Sequence, residues 1–253
     1  MVLSIVRSSQ YIKGSQPCLN KATSCANSIE EIGPVTGPSI ASMRNFGAKQ
    51  ARGEWILFVD EDCEINEKKV LKLIEKMEKK NSSLGAFAGV YKQKTHSKIQ
   101  KTYDRIQRLW VLKGLQEKRS YQGNANHLLG GCLIVKRQAW EKACGFNEKI
   151  GWGGEEFDFI LRLQKAGYQT AVTYSLRVPH SSQIGIFGFI KRAWRQNYNR
   201  GFYKIKPEEK LKNKMPTSFL WKQPMFTSLF ATVAIFGFFS GALTYKIVSL
   251  IKA

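Results

Sequence analysis

Two acidic clusters, Asp60-Glu61-Asp62 and Glu155-Glu156-Phe157-Asp158, hold the residues of this chain whose types and spacing could do chemistry. The first closes Trp55-Ile56-Leu57-Phe58-Val59, an unbroken apolar run with the length and composition of a buried parallel strand. Carboxylates at the end of such a strand sit at the ligand-binding rim of an open α/β sheet. In an extended segment residues i and i+2 project to one side, so Asp60 and Asp62 are expected to face one site while Glu61 points away. Two hard oxygen ligands together suit Mg2+ or Mn2+ when water and phosphate complete the shell. Such an ion would neutralise a diphosphate leaving group. For a lone D-x-D, solvated acids capping a strand are the simpler explanation, so context must decide. The second cluster follows Gly151-Trp152-Gly153-Gly154 and opens a helical stretch, Phe157 to Ala166, that Gly167 can terminate. A carboxylate there suits a base.

The elements that must position these acids alternate between strand and helix, which is the α/β signature. Upstream, a short helix is entered after Gly37-Pro38 and ended at Gly53. Downstream, Asn66 can cap a helix from Glu67 to about Lys80, whose Val70, Leu73, Ile74 and Met77 form one apolar stripe. Gly85 to Tyr91 reads as a strand, and Ile99 to about Glu117 as an amphipathic helix carrying Tyr103, Ile106 and Trp110. Residues 10–36 are rich in Gly, Pro, Ser and Asn with little periodicity, which predicts a long loop. With 253 residues, 43% of them apolar, the chain can bury one sizeable core.

Several further motifs stand in a fixed order. Gly37-Pro38-Ser39-Ile40-Ala41-Ser42-Met43-Arg44-Asn45-Phe46-Gly47-Ala48 and Ala51-Arg52-Gly53-Glu54 precede the D-x-D. Leu129-Gly130-Gly131-Cys132-Leu133-Ile134-Val135, Gly145-Phe146-Asn147-Glu148 and the Gly-Gly-Glu-Glu segment follow it. In this order and spacing the chain resembles the family 2 glycosyltransferases, from about Gly37 to Gly201. The resemblance implies a GT-A fold, Rossmann-like with a mostly parallel sheet and flanking helices, and an inverting enzyme that uses a UDP- or GDP-sugar, a divalent cation, and a saccharide or lipid-linked acceptor.

Carried over position by position, the resemblance makes Asp62 the metal-binding acid, with Asp60 beside it near the ribose or the ion. Arg44 and Asn45 match the Arg-Asn on the nucleotide side of the cleft, and Gly130, Gly131, Glu155 and Arg195 are placed with them among the nucleotide-sugar contacts. Glu156 stands where the family has the general base, usually an aspartate, and is one methylene longer. Asp158 and Arg162 match the following acid and arginine, and His180 matches a histidine on the strand leaving this helix, which makes it a diphosphate or metal contact. Blander readings accompany these. Asp158 and Arg162 are spaced i, i+4 and can form a structural ion pair. His180 can be a structural histidine, Arg44 a solvated helix residue, and the glycines pure backbone devices. For Asp62 and Glu156 the functional reading is preferred.

Outside that stretch, Leu3 to Ser9 looks like the family's second strand, with Arg7-Ser8-Ser9 where acids are expected. About thirty residues, one strand-helix unit, are therefore expected to be missing. A truncated reading frame, a partner chain that supplies the unit, and an inactive relative that keeps the fold all remain open. At the other end, Phe226 to Tyr245 is a run of 20 uncharged residues, long enough at ~1.5 Å per residue to match the ~30 Å hydrocarbon core. A transmembrane helix is expected there, the alternatives being a hairpin in one leaflet or a buried helix in a dimer. Basic residues concentrate before it, in Lys204 to Lys222, which predicts a single pass with the catalytic domain on the cytoplasmic side. The resulting divisions are a partial nucleotide-binding strand and loop over 1–36, a catalytic domain over 37–203, a basic linker over 204–223 and an anchor over 224–253.

A net charge of +21 invites an anionic partner. Nucleic acid is not expected, since no zinc spacing, recognition-helix pattern or RNP-like motif is present. Anionic lipid headgroups account for the excess more directly, with Ile184 to Tyr203, including Lys191, Arg192, Trp194, Arg195 and Arg200, as a basic amphipathic helix at that surface. An ordinary solvated basic face is the alternative. The five cysteines show no metal-ligand spacing and cannot all pair, which favours a reducing compartment.

Overall fold

The computed structural model describes residues 2–11, 18–19, 24–26, 29–94, 101, 121–122, 125, 128–150, 153–181, 185–203 and 224–251. They fall into two compact units, one of 1–94, 115–151 and 155–181, the other of 95–114, 152–154 and 182–253. The expected helix over 99–117 lies outside the described residues except at residue 101, and the basic linker over 204–223 lies wholly outside them.

The first unit is built on one mixed sheet. In chain order its elements are β1 (Leu3–Tyr11), β2 (Cys18–Leu19), β3 (Ser24–Ala26), β4 (Ile29–Gly37), α1 (Ile40–Gln50), β5 (Trp55–Asp60), α2 (Glu67–Lys80), β6 (Leu84–Gln93), β7 (Tyr121–Gln122), β8 (Cys132–Lys136), α3 (Arg137–Lys142), α4 (Glu155–Lys165) and β9 (Gln169–His180). The strand order is β2-β4-β1-β5-β8-β6-β9-β7, with β3 also on β4. β4, β1 and β5 run parallel, as do β6 and β9, whereas β8 lies antiparallel between β5 and β6. The sheet is therefore mixed and mostly parallel: β4, β1, β5, β6 and β9 run one way, and β8 is reversed between β5 and β6. Trp55 through Val59 are all buried, as a central strand covered on both faces requires.

Two local readings hold closely. Asn66 caps α2 by accepting from the Lys69 N–H, and Val70, Leu73, Ile74 and Met77 are the buried stripe. Gly167, at φ +91°, follows α4 in a backbone region that glycine adopts readily. The N-terminal reading needs correction, because residues 29–37 form a nine-residue strand and β1 is a central strand between β4 and β5. The apolar pattern of β4 is broken by Glu30, which is buried all the same: Ser4 Oγ donates to it at 2.5 Å and the Arg52 N–H at 2.7 Å.

The second unit contains α5 (Ile186–Phe202) and α6 (Pro224–Ile251). Gly237 of α6 faces the backbone at Trp194, Gly241 that at Tyr198, and Gly201 of α5 that at Phe238. A side-chain carbon at Gly201 or Gly241 would overlap the opposing carbonyl, so the helices touch backbone to backbone. Both sequences advance together along the contact, which makes the packing parallel. Among the described residues no helix is long and apolar enough to cross a membrane, and the expected span is not supported.

Candidate active site

The sheet delivers Asp60 at the end of β5, opposite Ser8 of β1. The chain then turns at once, with the Cys63 N–H bonded to the Asp60 carbonyl at 3.0 Å. The pleat that would aim Asp60 and Asp62 at one point is thus interrupted between them. Asp60 turns to Arg44, while Asp62 joins the end of β9, where its carbonyl accepts from Ser181 N–H at 2.9 Å.

Arg44 is the hub of the site. Its guanidinium, 1% exposed, lies 3.2 Å from Asp60 Oδ1, 3.2 Å from Glu155 Oε1 and 3.4 Å from Glu156 Oε1. Helix α1, capped by Ser39, holds it beneath the first turn of α4, where both glutamates lie. Burial works against the Arg44 charge, but Asp60, Glu156 and Glu155 outweigh it and raise its pKa above the ordinary arginine range. The same burial raises the Asp60 carboxyl, opposed by Arg44 and reinforced by Asp62 and Glu156. Glu155 is driven well above the usual carboxylate range, first by burial and then by Glu156 beside it. Among the described residues its Oε2 is buried without a hydrogen-bond partner, as is Arg44 Nε. The solvated-helix reading of Arg44 is thereby excluded.

A second cluster forms beside it. Asp62 Oδ2 lies 3.1 Å from His180 Nε2, and Cys63 Sγ 3.8 Å from Asp62 Oδ1. One ligand atom from each of Asp62, Cys63 and His180 falls within 4.8 Å of the others, a spacing that could hold a metal ion. The imidazole stacks on Tyr91 at 4.2 Å between ring centroids, which fixes its plane. Cys63 and Tyr91 were not among the expected residues. Burial pushes the Cys63 thiol far up, so it is a protonated neighbour before any ion binds. A carboxylate with an imidazole is a donor pair that Mn2+ accepts, and these two residues fit such an ion.

Gly130 and Gly131 permit the approach of these groups. A side-chain carbon at Gly131 would lie 2.6 Å from Tyr91 Oη and 2.7 Å from Asp60 Oδ2, and one at Gly130 would collide with Glu156 and Arg44. The Gly131 N–H also donates to Tyr91 Oη at 3.2 Å. Both glycines therefore make room for the site's own side chains.

Other expected residues are engaged structurally. Asn45 Nδ2 donates at 2.8 Å to both the Phe146 carbonyl and Glu148 Oε1, while its Oδ1 accepts from the Phe146 N–H at 2.8 Å. Asp158 is paired with Arg162 at 2.6 Å, and Arg162 also donates to the carbonyls of Ala143 and Gly145. These bonds secure the 143–148 segment. Arg195 is a half-buried residue of α5, in the second unit.

Residues 37–143 match the model of glycosyl transferase family 2, and residues 114–196 that of the N-terminal domain of galactosyltransferase. Over this stretch the chain is similar to the family 2 glycosyltransferases. The family 2 segment runs from the start of α1 through α3 and so contains Arg44, Asp60, Asp62 and the paired glycines. The second match spans Glu155, Glu156 and His180. A putative polypeptide N-acetylgalactosaminyltransferase 13 from Drosophila melanogaster is 27% identical over 151 residues, 54% of this chain and 26% of that protein. The chain thus spans about a quarter of the length of that relative. Among solved structures, GalNAc-T7 with UDP, GalNAc and Mn2+ shares 12% identity at a TM-score of 0.43, covering 75% of this chain and 41% of the other. The mannosyltransferase PcManGT from Pyrobaculum calidifontis, in complex with GDP-Man and Mn2+, shares 15% at 0.47, covering 88% and 62%.

Proposed function

We propose that this chain transfers a glycosyl group, with inversion, from a nucleoside diphosphate sugar to a hydroxyl acceptor at a membrane. The observation that carries the reading is the convergence of Asp60, Glu155 and Glu156 on buried Arg44, next to the Asp62–His180 pair. In the reaction the acceptor oxygen bonds to the anomeric carbon as the bond to the diphosphate breaks. The acceptor's proton passes to Glu156, the diphosphate leaves with the electron pair, and a single displacement inverts the centre.

Glu156 suits the base because the other carboxylates are committed. Glu155 is 3% exposed against Arg44, and Asp158 is bonded to Arg162, whereas Glu156 is 20% exposed at the rim. Asp62 and His180 would hold a divalent cation. When bound, that cation supplies positive charge to the departing diphosphate. The similarity of residues 37–143 to glycosyl transferase family 2 favours a nucleotide-sugar donor and a divalent cation. Membrane placement is supported by the uncharged run over 226–245, and the cytoplasmic side by the basic residues before it, which an anionic cytoplasmic leaflet attracts. Within the chain itself, β1 lies beside β5 and pairs Ser8 with Asp60.

Titration calorimetry of the detergent-solubilised protein with UDP and GDP, in Mn2+ and then in EDTA, tests the reading. One nucleotide should bind in Mn2+ and lose most of its affinity in EDTA. Equal affinity in both would remove the metal, and no binding of either nucleotide in Mn2+ would overturn the transferase.

A further inference from the structure

The face of α6 turned away from α5 carries Ile235, Phe236, Phe239, Leu243 and Ile247, each between 48% and 66% exposed. Steps of three and four residues place Phe236, Phe239, Leu243 and Ile247 on one stripe. Its opposite face is committed to α5 through Gly237 and Gly241. A large apolar stripe on one side of a packed helix marks a surface that something covers.

We propose that α5 and α6 form a monotopic anchor. The pair lies in the plane of an anionic lipid surface, with this stripe entering the boundary between headgroups and acyl chains. The inference deepens the membrane placement proposed above and does not depend on the transfer reaction.

The packing decides between lying in the membrane and crossing it. Trp194, Tyr198 and Phe202 of α5 accompany Gly237, Gly241 and Tyr245 of α6 in register. If α6 crossed, α5 would be carried to the same depth over this length. Yet α5 holds Lys191, Arg192, Arg195 and Arg200 with Gln196, Asn197 and Asn199. Charged side chains are among the costliest groups to place at mid-bilayer. In-plane packing leaves that charge at the headgroups and still buries the stripe. The exposed positions of α5 agree, since Phe187, Lys191 and Trp194 recur at i, i+4 and i+7 and combine aromatic rings with a cation, as an interfacial helix does.

Charge selects the lipid. Between the two helices the sequence carries Lys204, Lys206, Lys210, Lys212, Lys214 and Lys222 against Glu208 and Glu209. A polybasic stretch joined to an apolar helix face provides the two signals that stable surface anchoring needs.

The test uses the full chain in vesicle flotation, with phosphatidylcholine alone and with phosphatidylserine added. Binding should be at least about tenfold stronger to the anionic vesicles and weaken with salt. Phe239→Glu with Leu243→Glu should lower partitioning about tenfold or more while UDP or GDP binding and the melting temperature are unchanged. Protease treatment of sealed vesicles should remove tags at Met1 and Ala253 from the same side. Tags on opposite sides would overturn the in-plane arrangement. Undiminished partitioning of the double variant would remove the stripe, and a soluble wild-type dimer that the double variant splits would show that a second copy covers it. Loss of nucleotide binding with flotation intact would count against the transferase and leave the anchor standing.

Discussion

Replacing Arg44 by methionine isolates the electrostatic role of the hub, because methionine keeps much of the chain's length and fills irregular space. The substitution leaves Asp60, Glu155 and Glu156 without the cation they share at 3.2, 3.2 and 3.4 Å. Removing one partner of a buried ion pair costs about 3–5 kcal/mol. Both Arg44 and Glu155 are almost wholly buried, so little solvent screening reduces that figure. For a protein of this size the loss corresponds to a Tm lower by roughly 6–20 °C. The deficit should also depend on pH. Glu155 and Asp60 have raised pKa values in the fold, so stability is fully present below their unfolded values and is lost as pH rises through the folded ones. Arg44 lowers both, and its removal raises them further, so the variant should suffer most at neutral and alkaline pH and recover on acidification. Thermal melts of wild type and Arg44→Met at about pH 5 and about pH 8 give the comparison. A deficit under about 2 °C at both, or one that grows as the pH falls, would refute the reasoning.

Gly131→Ala should cost about 1–3 kcal/mol and weaken nucleotide affinity, because the new methyl must displace Tyr91 Oη or the Asp60 carboxylate, and calorimetry with thermal melting reads both effects. Glu156→Gln should preserve nucleotide-sugar binding and lower transfer by roughly 10²- to 10⁴-fold, whereas Glu156→Asp should keep part of the activity; near-normal turnover in the glutamine variant would remove Glu156 from the mechanism.

The sequence carried the strands and helices whose patterning agreed with their burial. β5 is apolar throughout because both faces are covered, and α2 shows its stripe because one face is wet. β4 was illegible because an inward position is a glutamate, made tolerable by Ser4 and the Arg52 N–H, which are distant in sequence. The membership of the acidic clusters could be read, but not their division. The turn after Asp60 sends consecutive acids of the D-x-D to different partners, a matter of backbone path that the pleat rule does not contain. Tyr91 and Cys63 gave no signal of their own, since a tyrosine ending a strand and a buried cysteine are ordinary core residues. Only the register that pairs the end of β6 with the end of β9 brings Tyr91 against His180.

Burial also divides labour among the acids of α4, which the bare motif cannot do. Adjacent helical side chains diverge by about 100°, so Glu155 and Glu156 cannot occupy one environment. Glu155 is turned inward, held toward its protonated form by burial and by its neighbour, with an Oε2 unpartnered among the described residues. So enclosed, Glu155 is out of reach of an acceptor hydroxyl arriving from the rim. Glu156 keeps one oxygen near Arg44 and reaches the rim, where an acceptor hydroxyl can approach. Asp158, one turn along, aims at Arg162, and through it at the Ala143 and Gly145 carbonyls, bracing the segment whose Phe146 packs beside the Arg44 guanidinium. Environments that differ this far among three neighbouring carboxylates are how one helix end can carry a buried partner for Arg44, a base and a brace at once.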